Sequence, residues 1–128
     1  MKNYNAENNR AVWFDIPVAD LNRAKDFYEE VLNIEVFKES VDGYEFCILD
    51  HKDGNGGCLF LNKDEISSNS GIMLYLNVKG RIKDAVGKAE DKGAKILKPI
   101  HQIGEHGFRS VILDSEGNRI ALHSDTND

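Results

Sequence analysis

The feature that most limits what this chain can fold into is an internal repeat. Val18 is matched by Val78 at an offset of 60, and Val36-Phe37-Lys38 by Ile96-Leu97-Lys98 at the same offset. Asp53-Gly54-Asn55 corresponds to Glu116-Gly117-Asn118 at an offset of 63. A fixed period marks duplicated structural units and has to be settled before any motif is read. Two copies in 128 residues are too few for a solenoid, while two small modules within one domain fit the length.

Each copy reads the same way. Residues 11–18 alternate, with Val12, Phe14, Ile16 and Val18 on one face and Trp13 and Asp15 on the other, which predicts a strand. Asp20 is a suitable N-cap, and Leu21, Ala24, Phe27, Tyr28, Val31 and Leu32 recur at helical spacing, so residues 21–32 should form an amphipathic helix. Strand-like runs follow at 34–39, 44–50 and 57–62, the last two separated by the turn signal Asp53-Gly54-Asn55-Gly56-Gly57. In the second copy a strand is expected at 71–78, a helix at 81–92 closed by Gly93, and strands around 94–100, 107–114 and 118–123. The expected organisation is a loose polar tail over 1–10, a first βαβββ module over 11–62, a Ser/Asn-rich linker over 63–70 and a second βαβββ module over 71–124. The fold class is therefore α+β. The two modules pair their sheets into a curved platform, with helices outside and a cup inside.

Charge narrows the partners. There are 16 Lys+Arg against 22 Asp+Glu, with no basic block, so a nucleic-acid or anionic-membrane surface is not expected. No apolar run reaches the roughly 18 residues of a spanning helix, and the first ten residues carry no apolar stretch of the kind a secretory signal needs. The two cysteines, Cys47 and Cys58, do not form a CxxC pair and read as reduced thiols of a cytoplasmic protein.

Two segments carry a family resemblance. Ile16-Pro17-Val18-Ala19-Asp20-Leu21, continuing through Phe27-Tyr28, resembles the opening strand–helix signature of the vicinal oxygen chelate superfamily, which includes glyoxalase I, bleomycin-resistance proteins and extradiol dioxygenases. Asp114-Ser115-Glu116-Gly117-Asn118 is similar to its closing hairpin, and the resemblance spans residues 11–124. It implies the duplicated cup and a homodimer, and says less about chemistry. Metal-dependent members place His or Glu on the first and last strand of each module. The matching positions here are Trp13, Cys58, Met73 and Ala121. Hard and borderline divalent ions take imidazole and carboxylate ligands, so no metal and no cofactor is expected at this set. A register two residues off would bring in Asp15 and His123 instead.

The remaining candidates are read from alternation. Trp13, Phe46, Phe60, Met73, Tyr75 and Phe108 are expected to wall an apolar cup, or else to fill it or pack a dimer seam. Asp15 and Arg109 are expected to pair with each other or with a ligand, and His123 is the best-placed titratable group. His101-Gln102-Ile103-Gly104-Glu105-His106 misses metalloprotease spacing and is expected as a rim loop. Cys58 has no sequence neighbour that would activate it as a nucleophile. The leading reading is a metal-free protein that binds a small organic molecule in its cup. One alternative is a lyase- or isomerase-type enzyme related to lactoylglutathione lyase, using His123 or Asp15. The other is a structural or regulatory dimer without ligand.

Overall fold

The structure, a computed structural model, describes residues 8–128; most of the segment expected as a tail lies outside the described residues. Eight strands and two helices follow in the order expected from the repeat. The first module comprises β1 (Trp13–Val18), α1 (Leu21–Leu32), β2 (Val36–Val41), β3 (Tyr44–Leu49) and β4 (Gly56–Leu61). A single 3-10 turn at Lys63–Glu65 leads to the second, with β5 (Leu74–Asn77), α2 (Ile82–Asp91), β6 (Lys95–Gln102), β7 (Phe108–Leu113) and β8 (Arg119–Ser124). Each module makes its own four-stranded sheet, in the orders β1-β4-β3-β2 and β5-β8-β7-β6. The first strand of each runs parallel to the last, and the other pairs are antiparallel.

Local chemistry sets α1. The Asp20 carboxylate accepts from the Arg23 backbone N–H at 3.0 Å, filling one of the orphan donors of the first turn. Asn33 ends the helix in the left-handed region at φ 56°. Leu21, Ala24, Phe27, Tyr28 and Val31 point inward and are buried. Phe27 and Tyr28 are almost fully covered, and burying each contributes about 1.5–3 kcal/mol. α2 has no side-chain cap, and Ile82, Ala85, Val86 and Ala89 hold it to the core.

The two modules share one interior. Ile16, Val18, Cys47 and Leu59 of the first sheet join Leu76, Val78, Ile112 and Leu122 of the second through the packed helices. The Arg81 guanidinium donates to the Val31 carbonyl at 2.6 Å, and Lys92 reaches Asp26 at 2.7 Å across the helix pair.

The two motifs of the family resemblance touch. The Glu116 carboxylate accepts from the backbone N–H groups of Ala19 and Asp20 and from the Arg23 side chain. Asn118 donates to the Pro17 carbonyl at 2.8 Å, and the Tyr28 hydroxyl donates to Asp114. The closing hairpin thus caps the opening helix and ties the second module to the first.

Three expectations need correction. β5 begins at Leu74, not residue 71, and Ile72 before it is 96% exposed. His101 lies in β6, not in a rim loop, and the turn occupies the residues that follow it. Phe108 pairs with Ser124 and packs against the helix-side core, so it does not wall the cup face. Neighbouring strand residues point to opposite sides, so Phe108 and Arg109 cannot share a face.

Candidate functional site

With the helix side of each sheet filled, chemistry falls to the two opposite, open faces. On the first sheet Asp15 stands beside Cys58, and Phe46 is paired with Phe60 across β3 and β4. A groove of about 580 Å³ lies over this face, walled by Tyr44, Phe46, Phe60 and Leu61, with Asp15 and Cys58 on its floor. Trp13 sits on the same face, its ring edge-on to His51 with centroids 5.8 Å apart. Tyr44 is part of the wall and was missed by the sequence reading, although its alternation with Phe46 and Ile48 carried the signal.

The groove's polar pair is quiet. The Cys58 thiol donates to the Asp15 carboxylate at 3.1 Å. Burial pushes the thiol up to about 12, and the adjoining Asp15 adds to this, against a smaller opposing effect of a hydrogen bond with Trp13. A thiol held neutral in this way is no nucleophile near neutral pH. Asp15 also does not meet Arg109, so the acid–base pairing open to the sequence is not made.

On the second sheet Tyr75 neighbours Ala121 and Arg109 faces His123. Arg109 donates through Nε to His101 Nε2 at 3.0 Å and through a terminal N–H to the Tyr75 hydroxyl. His101 Nδ1 in turn donates to the Pro99 carbonyl at 2.8 Å. His123 Nε2 donates to the His106 carbonyl at 2.6 Å. The part of His101 comes from register shifts in β6 around Pro99, which bring it opposite Arg109. Nothing in the sequence pattern marked those shifts.

The positions that hold metal in the resembled family can be tested on their donors. Trp13 and Cys58 lie on the first sheet, Ala121 on the second, and Met73 just before β5. Alanine has no donor and the indole no free lone pair, while the remaining sulfurs are soft and one is a buried, neutral thiol. The register two residues off offers Asp15 on the first sheet and His123 on the second, but its other two positions are Phe60 and Tyr75, which bring no carboxylate or imidazole. Among the described residues no three His, Cys, Asp or Glu side chains gather as a metal set. The residues present do not fit the family's divalent-metal site.

Two βαβββ modules, each with its first strand parallel to its last, define the class of duplicated, open-faced sheet proteins. The chain belongs to the Glyoxalase/Bleomycin resistance protein/Dioxygenase superfamily, whose family model matches residues 10–122. No curated protein sequence matches it. Solved structures share its fold at low identity. A glyoxylase/bleomycin resistance protein/dioxygenase domain from Frankia sp. EAN1pec is 15% identical with a TM-score of 0.70, over 91% of this chain and 97% of that one. The fosfomycin resistance protein FosX from Listeria monocytogenes is 14% identical with a TM-score of 0.69, over 91% and 90% of the two chains. The hypothetical protein SA1046 from S. aureus is 15% identical with a TM-score of 0.67, over 91% and 94%.

Proposed function

We propose that this protein binds a small organic molecule on the open face of its first sheet, without a metal ion of the kind the family's metal-dependent members use. The observation that carries this reading is the groove itself, with aromatic walls at Tyr44, Phe46 and Phe60, the Asp15 carboxylate at the floor and Glu45 also in the lining. Apolar walls with few polar groups are what small-molecule sites are built from. Aromatic faces beside carboxylates favour a ring-bearing ligand with an ammonium or N–H donor. Binding and orientation are the functions available, since the thiol is neutral and the metal positions lack donors.

We place the protein as a homodimer in the cytoplasm. β1 and β5 are edge strands, and Val41 and Ile72 leave apolar surface uncovered outside the groove, which a second copy would bury. Both cysteines are free and buried, in keeping with a reducing compartment. A disulfide in protein isolated from its native cells would count against that location.

A saturation-transfer NMR screen of ring-bearing amines tests the groove. Binding that is lost in Phe46→Ala and Phe60→Ala, with the fold intact, is the expected outcome. Ligands that bind the variants as well as the parent would place the site elsewhere.

A further inference from the structure

The open face of the second sheet carries an arginine whose charge no acid balances. Arg109 is half-buried and clamped by His101 Nε2 and the Tyr75 hydroxyl, with its guanidinium 5.9 Å from the Tyr75 ring centroid. The two clamps are uncharged acceptors. His101 gives its Nδ1 hydrogen to the Pro99 carbonyl and so presents a lone pair at Nε2. Arg23 and Arg81, by contrast, each meet a carboxylate, Glu116 and Asp84. The chain carries 22 acidic residues, yet among the described residues none stands in ion-pair range of Arg109.

This arrangement suits one kind of guest. A guanidinium held only by uncharged acceptors keeps its charge available to an anion, and its planar fork matches a carboxylate or phosphate edge. Two of its five N–H groups are used by the clamps, which leaves three for a ligand. His123 stands directly across the strand pair from Arg109, with Nε2 tied to the His106 carbonyl, and the buried pair Val111 and Ala121 lies beside them on the same face. We infer that Arg109, Tyr75 and His123 form an oxyanion site that takes the carboxylate or phosphate of a small organic molecule. The site stands apart from the groove on the first sheet, and either assignment can fail without the other.

The test is a titration of the full chain with acetate and, separately, with inorganic phosphate, at neutral pH and with ionic strength held by sodium chloride. Proton NMR of the histidine ring signals is the readout. Saturable shifts at His101 and His123 with at least one anion are expected, and the arm that saturates identifies the oxyanion class. Arg109→Gln should weaken binding by about tenfold or more, since charge-assisted bidentate contacts are the strong ones. Arg109→Lys should recover part of it as a point charge, and Tyr75→Phe should weaken it severalfold by freeing the clamp. These two milder changes carry the test should Arg109→Gln fail to fold. Phe46→Ala, on the other sheet, should leave the titration unchanged. Shifts that never saturate, that chloride alone reproduces, or that survive in the Arg109 and Tyr75 variants would overturn the assignment.

Discussion

Glu116 sits fully covered at the junction of the two modules, while its partner Arg23 is about half exposed. Burial alone would push its carboxyl up. Hydrogen bonds from Arg23, the Asp20 backbone, Ser115 and the Ala19 backbone outweigh that and hold it below the ordinary carboxylate range. A depressed carboxyl binds fewer protons in the folded state than in the unfolded one, so its contribution is present at neutral pH and lost as pH falls through its folded value. Glu116→Gln should therefore cost about 1–3 kcal/mol at neutral pH, a range set by breaking buried hydrogen bonds to a charged group. Urea unfolding at neutral and acid pH checks this, with the gap between parent and variant closing in acid. An equal gap at both pH values would show that the carboxylate charge is not what holds the junction. The sequence marked Glu116 only as part of a closing hairpin, because the ends it joins lie 93 to 97 residues apart and no local pattern reports such a contact.

Elements were more legible than contacts, and the reason differs from one to the next. α1 occupies the residues its pattern predicted, because an N-cap at Asp20 and a stripe of apolar positions act within one turn of each other. β5 starts later than its alternation suggested, because alternation records what a strand would bury, and Ile72 has nothing to pair with. The face of Phe108 depends on its register with β8, which is a long-range property. Gly57 is a case where the element explains the residue. It pairs with Phe14 in the parallel β1–β4 ladder, and a Cβ there would run into the Phe14 ring and its carbonyl oxygen. The ring can turn aside, but the backbone oxygen is fixed by the ladder. Gly57→Ala should destabilise by about 1–3 kcal/mol through this overpacking, as read by thermal or urea unfolding. A neutral outcome would mean that β1 and β4 sit further apart than described.

At the scale of the whole molecule, one shared core leaves two open faces of different character. The first is aromatic with the acids Asp15 and Glu45 in its groove, and the second is polar around Arg109. The duplicated architecture was legible from the repeat alone, because the repeat is an arithmetic property of the chain. The content of the two faces was legible only in part. Asp15 follows from alternation, Cys58 from the family resemblance and Phe46 and Phe60 from alternation with it, whereas His101 reaches Arg109 through shifts in β6 that no periodicity encodes. The uncovered apolar residues and free edges predict that the chain sediments as a dimer at micromolar concentration. A monomer there would remove the second copy from the account.

The central claim is that ligand binding rests on the groove and not on a metal. Calorimetric titration of the best-binding ring-bearing amine tests it most directly, run before and after exhaustive chelation and again with nickel, cobalt, zinc, iron or manganese restored. The same affinity is expected in every case. Binding that vanishes on chelation and returns with one of the metals would contradict it, and would reopen Asp15 and His123 as ligands.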